Sequence, residues 1–200
     1  MPLLLSKRID QQSAYAVWKI SETNDQLEEL HEERPQTSYH VNKYGEWLAT
    51  RILIKNLCGR FKIPYRGIAK DEYGKPFLVD SPAHISLSHS FPLASAMIDL
   101  KKPCGIDVEW PRKKMTRIQD KFLHESEYHH KNDETALCII WAAKEAIYKQ
   151  HGKKQLSFKQ DLRILWEGDR ITGENLRNNP NSRIELVMEE VKDYYLVYSR

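Results

Sequence analysis

The stretch ALCIIWAAKEAIYK, residues 136–149, decides the fold of the C-terminal half of this chain. Its first eight residues are all apolar, which is too continuous a pattern for a surface helix and predicts a largely buried one. Glu145 and Lys149 follow at i, i+4 spacing and share one helix face with Trp141. A charge on a buried helix has to be paired or bind a ligand. By themselves, Glu145 and Lys149 are equally compatible with an intrahelical ion pair on an exposed face.

The segment from Gly105 to Glu109 alternates apolar and acidic residues. In a strand, Ile106 and Val108 would face the core while Asp107 and Glu109 project from the other face. Two neighbouring carboxylates repel each other unless a proton or a cation lies between them, and their oxygens are hard donors that suit Mg²⁺ or Mn²⁺. Taken alone, this segment is more typical of a solvated strand face.

The two segments together indicate a site for a metal ion and phosphates. If Asp107, Glu109 and Glu145 converge, their negative charge exceeds that of one divalent cation, so a phosphate needs basic side chains to bind there. Lys149, Lys144 and His89 can supply that positive charge, although Lys144 could also point along the helix flank.

Four motifs in this chain resemble those of the 4′-phosphopantetheinyl transferases. The segments 105–109 and 141–149 are similar to the two signature motifs of that family. Upstream, Gly74-Lys75-Pro76 resembles its G-K-P element and ISLSHS, residues 85–90, resembles its S-x-S-H-S element, in the same order. Chain length and motif placing resemble the single-chain, pseudo-dimeric branch typified by the surfactin-synthetase activator.

The resemblance implies a holo-[acyl-carrier-protein] synthase type of reaction. The 4′-phosphopantetheine arm of coenzyme A would move onto a serine of an acyl or peptidyl carrier protein, releasing 3′,5′-ADP. Asp107, Glu109 and Glu145 would hold Mg²⁺, or Mn²⁺ in its place, and Lys149 would neutralise the pyrophosphate as its bond breaks. Glu145 and Lys149 would then both be catalytic.

Five further residues match positions at which the family binds coenzyme A. Ser88 and His89 match the positions that bind its 3′-phosphate. Lys75 would lie near the nucleotide. Arg51 and Lys43 occupy a helix where family members carry basic residues for the same phosphate. Without the resemblance, His89 is more typical of a capping or turn histidine.

The family's proposed general base corresponds to Glu127, which ends an F-x-x-x-x-E pattern beginning at Phe122. Glu127 would accept the proton of the carrier serine as the hydroxyl attacks phosphorus. A metal-bound water could do the same, and Glu125 lies two residues away, so the identity of the base stays open.

The loop after the last motif departs from the K-x-x-G-x-G-L-S pattern of many relatives. Residues 149–157 read KQHGKKQLS, with one glycine missing and one residue more. Because a lost glycine can alter a tight turn, family contacts are not transferred to this loop. Lys153 and Lys154 could instead contact an acidic carrier helix, which predicts salt-sensitive carrier binding.

Composition agrees with a globular protein of 200 residues that is 40% hydrophobic. No apolar run approaches the ~20 residues of a membrane span, and Leu3 to Leu5 is too short for a signal peptide, so we expect a cytoplasmic protein. The three cysteines lack the spacing of a disulfide framework or a zinc site. A net charge of +3 in short, scattered clusters such as Arg112 to Lys114 argues against nucleic acid and favours an acidic partner or a polyphosphate.

The order of elements predicts an α+β fold, because strands come in runs rather than in strict βαβ alternation. The expected strands are 15–20, 77–79, 85–88, 94–100, 105–109, 162–166, 183–188 and 194–199. The expected helices are 25–33, 40–57, pieces of 116–130, and the buried stretch at 136.

Pro103 is the best candidate for a domain boundary. It divides the chain into an N-terminal half, residues 1–103, and a C-terminal half, residues 104–200, which carries the metal site. The resemblance implies two similar halves, each an antiparallel sheet packed with helices, related by a pseudo-twofold axis. Coenzyme A would lie in the cleft between them, and a monomer is therefore expected.

Two alternative functions stay open. A metal-dependent phosphodiesterase or nuclease also needs clustered acids and a lysine, although the basic residues here form no continuous track. A non-catalytic module that binds coenzyme A or a carrier protein is the second. The motifs are equally compatible with carriers of fatty-acid, polyketide or peptide synthesis, and with free or acylated coenzyme A.

Overall fold

Two antiparallel sheets organise the computed structural model, which describes residues 3–35, 37–153, 156–168, 170–177 and 183–200. The chain divides into two units, Met1–Pro103 and Cys104–Arg200, each with its own sheet and hydrophobic core. The predicted α+β class, with antiparallel sheets packed with helices, is confirmed. The pseudo-twofold relation stays a prediction.

The first unit is a six-stranded sheet in the order β1-β2-β6-β5-β4-β3 with a long helix, α2, packed on β2, β5 and β6. Leu48, Ile52 and Leu53 on α2 are buried in the core. Arg51, predicted at a polar position of this helix, is also buried. Its elements are β1 Leu3–Arg8, β2 Ser13–Lys19, α1 Asn24–Leu30, α2 Val41–Arg60, β3 Ile68–Lys70, β4 Pro76–Leu78, β5 His84–Ser90 and β6 Leu93–Asp99.

The second unit is a five-stranded sheet in the order β7-β11-β10-β9-β8, with α4 packed chiefly on β7 and β11. A 3-10 helix, Glu125–His130, links α3 to α4. The remaining elements are β7 Ile106–Glu109, α3 Lys114–Phe122, α4 Glu134–His151, β8 Leu162–Glu167, β9 Arg170–Asn175, β10 Arg183–Val191 and β11 Tyr194–Ser199.

The helix α4 is the buried helix that its apolar run predicts. Asp133 caps its first turn by accepting hydrogen bonds from the backbone N–H groups of Thr135 and Ala136, and Gly152 ends it in the left-handed conformation. Gly105 explains how closely the helix lies to β7, because a Cβ there would come within 1.8 Å of the Ala146 carbonyl oxygen. This close packing sets the last turns of α4 against the acidic strand.

Three strands escape prediction. β3 is only three residues long, β1 shows little alternation of polar and apolar residues, and β9 contains Gly173, which weakens a strand pattern. Gly173 is there for packing, since a Cβ would lie 2.1 Å from Cδ1 of Ile147 on α4. Within the described residues, no helix is both long and apolar enough to cross a membrane.

Candidate active site

Asp107 of β7 and Lys149 of α4 meet in the second unit. The Lys149 Nζ donates to Oδ1 of Asp107 at 2.7 Å and to the carbonyl oxygen of Ile106 at 3.1 Å. Asp107 is buried, whereas the Lys149 side chain is 25% exposed. The two motifs that the sequence analysis singled out therefore come into direct contact.

Glu145 lies close enough to this pair to feel its charges. The pKa of Glu145 is raised to about 7, chiefly by burial and then by the Asp107 carboxylate, with a smaller contribution from Glu109, while the Lys149 ammonium opposes the shift. The charges of Asp107 and Glu109 therefore act on Glu145, and the convergence of all three carboxylates on one metal ion stays a prediction.

Glu109 has a partner that sequence reasoning missed. Its Oε2 accepts a short hydrogen bond from Nη2 of Arg112, whose guanidinium also lies 5.6 Å from the ring centroid of Trp110. The sequence places Arg112 in one of the short, scattered basic clusters. Its position three residues after the acidic strand is the signal that could have identified it.

The carboxylates of Asp107, Glu109 and Glu145 are chemically suited to bind a divalent metal ion. Across the parts of the chain that the structure describes, no three His, Cys, Asp or Glu side chains are arranged to hold a metal ion. Lys149 and Arg112 each bind one of the carboxylates instead. Carboxylate oxygens are nonetheless the donors that Mg²⁺ prefers, and Mg²⁺ is usually held by one or two of them together with substrate phosphates. Asp107, Glu109 and Glu145 as metal ligands stay a prediction.

Lys144 points away from these acids and into the core. It is 0% exposed, and its Nζ donates to Oε2 of Glu127 at 2.6 Å and to the carbonyl oxygens of Phe122 and Phe158 at 2.7 and 2.9 Å. Burial lowers the pKa of Lys144, and the Glu127 charge opposes that shift. Of the two orientations considered for Lys144, this geometry favours the one in which its side chain does not face the acids.

Glu127 is equally enclosed. It is 1% exposed, and besides Lys144 it accepts hydrogen bonds from the backbone N–H groups of His124 at 2.8 Å and Ile164 at 2.6 Å. Both of its oxygens are occupied. Its role as general base stays a prediction, and this burial speaks against it because a base must reach the proton that it accepts.

A buried carboxylate, Glu46 of α2, organises two of the predicted phosphate ligands in the first unit. Its Oε2 lies 3.0 Å from Nζ of Lys43 and 3.2 Å from Nδ1 of His89, and its Oε1 accepts from the backbone N–H of Phe91. Burial alone would raise the pKa of Glu46, but the hydrogen bonds from His89 and Lys43 outweigh it and lower the pKa. The Lys43 and His89 side chains are 59% and 40% exposed, so both can still reach a ligand. Sequence reasoning missed Glu46, whose only signal is its i, i+3 spacing from Lys43.

A pocket of about 690 Å³ lies within the first unit beside this cluster, and Arg51 and His89 are among its lining residues. The Arg51 guanidinium lies 3.6 Å from the ring centroid of Trp47, and its Nε is 3.5 Å from Oε2 of Glu33. Aromatic and basic groups in one pocket suit a nucleotide with phosphates. Other residues of the lining are Arg34, Tyr39, Lys70, Gly74 and Leu87.

Ser88, Lys75 and Lys43 are predicted coenzyme A residues that the described lining of this pocket does not include. Consecutive residues of β5 face opposite sides, and Ser88 is buried where His89 is exposed, so one phosphate cannot easily contact both side chains. Lys75 lies in the β3–β4 turn, where its backbone N–H donates to Asp71.

A family model and two curated proteins match parts of this chain. Residues 103–199 match the family model described as the 4′-phosphopantetheinyl transferase superfamily. The 4′-phosphopantetheinyl transferase gsp of Aneurinibacillus migulanus is 34% identical over 117 residues, which is 54% of this chain and 47% of that protein. A candidate 4′-phosphopantetheinyl transferase of Haemophilus influenzae is 28% identical over 94 residues, 42% of this chain and 40% of that protein. The matched regions thus span less than half the length of either curated relative.

Proposed function

Because residues 103–199 of the chain belong to the 4′-phosphopantetheinyl transferase superfamily, we propose that the protein moves the 4′-phosphopantetheine arm of coenzyme A onto a serine of an acyl or peptidyl carrier protein. The observation that carries this proposal is the contact between Asp107 and Lys149 beside Glu145. It places an acid set and a partly exposed lysine from two distant segments inside the matched residues. Such a combination suits a reaction at a diphosphate.

In this proposal Asp107, Glu109 and Glu145 hold Mg²⁺, which when bound supplies positive charge for the diphosphate. Lys149 uses two N–H groups on Asp107 and Ile106, so its third N–H can donate to a phosphate oxygen. The serine oxygen forms a bond to phosphorus as the bridging P–O bond to 3′,5′-ADP breaks, and the serine proton passes to solvent water. Lys149 then stabilises the negative charge that develops on the leaving group.

The first unit provides phosphate recognition in the proposal. His89 is held through Nδ1 by Glu46, which leaves Nε2 for a ligand, and Lys43 and Arg51 add positive charge nearby. A 3′-phosphate carries enough negative charge to use all three groups. Lys75 and Ser88 stay predicted ligands, and like Lys43 they are not among the described lining residues of the pocket.

The test is an assay of the whole chain with coenzyme A, Mg²⁺ and either an apo acyl carrier or an apo peptidyl carrier, read by mass spectrometry of the carrier. A mass increase equal to one phosphopantetheine arm supports the proposal, and the carrier that gains it identifies the substrate class. Hydrolysis of coenzyme A with no change in carrier mass would indicate a phosphodiesterase. Binding of coenzyme A with neither product would indicate a non-catalytic module.

A further inference from the structure

A groove of about 710 Å³ in the second unit contains Glu145. Its walls include Phe122 at the end of α3 and Phe158 after α4, whose rings pack on Trp141 with centroid distances of 5.2 and 5.4 Å. Tyr148 also lines the groove, and its ring contacts Phe158. Glu145 therefore shares this groove with a cluster of packed aromatic rings.

The backbone of both walls is held by one ammonium group. The Lys144 Nζ donates to the carbonyl oxygens of Phe122 and Phe158, and Lys144 immediately precedes Glu145 on α4. Its third N–H is taken by Glu127. An ammonium has three donors, so none is left for a substrate.

Glu127 completes this arrangement from the other side. It accepts the backbone N–H groups of His124 and Ile164, so it ties the start of the 3-10 helix and strand β8 to the same ammonium. Five chain segments thus meet at one ion pair that is closed to solvent. Removing one member of a buried pair leaves an uncompensated charge, which is strongly destabilising.

We propose that Glu127 and Lys144 act as one positioning pair that holds the aromatic groove around Glu145, and that neither exchanges a proton with substrate. The catalytic consequence of this inference rests on the proposed function. The pair itself is testable without it, because its first effect is on stability.

A double-mutant cycle in thermal unfolding tests the pair. Glu127→Gln and Lys144→Met should each lower the unfolding temperature by roughly 10 °C. Because the two residues act as one unit, the double variant should unfold at a temperature no lower than that of the less stable single variant. Glu125→Gln, an exposed acid on the same 3-10 helix, is the control and should not change it. Additive losses, or no loss in the single variants, would overturn the inference.

Wild-type protein offers a second measurement in case a variant does not fold. The amide N–H of Ile164, which donates to Glu127, should exchange with solvent deuterium only through global unfolding of its unit. Rapid exchange at Ile164 would show that the pair opens to solvent, and the inference would fail.

Transfer kinetics separate positioning from proton transfer. Glu127→Gln should lower kcat by about tenfold or less while keeping the shape of the pH profile, and Lys144→Met should have the same effect. If Glu127 were the general base, Glu127→Gln would instead lower kcat by about 10²- to 10⁴-fold. The limb of the pH profile that reports the base would disappear, and the unfolding temperature would stay normal. If wild-type protein transfers no arm to any carrier, the proposed function fails, yet the unfolding cycle still decides the positioning pair.

Discussion

Two lysines on α4 each bind a carboxylate, but their surroundings differ. Lys144 is sealed from solvent, and all three of its N–H groups are used by Glu127 and two backbone carbonyls. Lys149 lies five residues later, is partly exposed, and uses two N–H groups on Asp107 and Ile106. Both residues belong to the same motif, and nothing in their local sequence distinguishes them.

The difference shows that donor count and access separate a structural pair from a functional one. An ammonium with every donor satisfied in the core can only hold the fold, whereas one with a remaining donor at the surface can bind an anion. The Glu46 cluster in the first unit extends the comparison. There the acid is buried, as Glu127 is, but its cations Lys43 and His89 are exposed and can reach a ligand.

The largest expected effect is at the acids beside Lys149. Asp107→Asn and Glu145→Gln should each reduce transfer by about 10³-fold or more, because they remove charge at the diphosphate while keeping the side-chain volume. The unfolding temperature should change far less than in the Lys144 variants. Mass spectrometry of the carrier measures the first quantity and calorimetry the second. Near-normal turnover of either variant at high Mg²⁺ would refute the metal assignment.

A smaller loss is expected for Lys149→Met. It should lower kcat by about 10²- to 10³-fold with little change in unfolding temperature. Lys144→Met should instead lower mainly the unfolding temperature and have a smaller effect on kcat. The control is Lys153→Met, a lysine in the loop just after the helix. If both lysine variants lost stability equally and kept their kcat, the distinction between the two pairs would be wrong.

Glu46→Gln should have a milder effect, on binding rather than on chemistry. Losing the charge that orients His89 and Lys43 should raise KM for coenzyme A by roughly tenfold and leave kcat unchanged. Calorimetric titration with 3′,5′-ADP measures the same loss without turnover. Glu29→Gln, an exposed acid on α1, serves as the control. An unchanged affinity for 3′,5′-ADP would remove Glu46 from the phosphate site.

The smallest effect is expected in the loop after α4. Reversing Lys153 and Lys154 to Glu should raise KM for the carrier by roughly threefold at low salt and have less effect at high salt, since exposed charges at a contact rim are screened. Lys154 lies outside the described residues, so this prediction rests on charge alone. A KM for the carrier that does not respond to the reversal would exclude the loop from docking.

Much of the fold was predictable because the informative patterns are local. The apolar run that begins at Ala136 predicted a buried helix, and the alternation at Ile106 to Glu109 predicted the strand that it packs against. The strand β9 was missed because a glycine inside a segment is usually a sign that a strand is interrupted. In the structure, the absence of a Cβ at Gly173 makes room for Ile147. Its purpose is visible only when helix and sheet are packed together.

The candidate site was predictable in part. The structure joins Asp107 and Lys149 of the two motifs and lets their charges act on Glu145, but the contacts of Glu109 with Arg112, and of His89 with Glu46, were not foreseen. Glu46 and His89 are separated by more than forty residues and belong to a helix and a strand. A periodic pattern carries no information about which side chains meet across such a distance.

The sequence by itself determined which residues are available for the chemistry, the buried character of α4 and the alternation of β7, because these depend on neighbours along the chain. Only the tertiary structure decided that Lys144 is saturated and Lys149 is not. The acceptors that satisfy Lys144 come from Phe122, Glu127 and Phe158, segments brought together by packing. Hydrogen-bond satisfaction is a property of the folded neighbourhood, and so it separates two lysines that one motif contains.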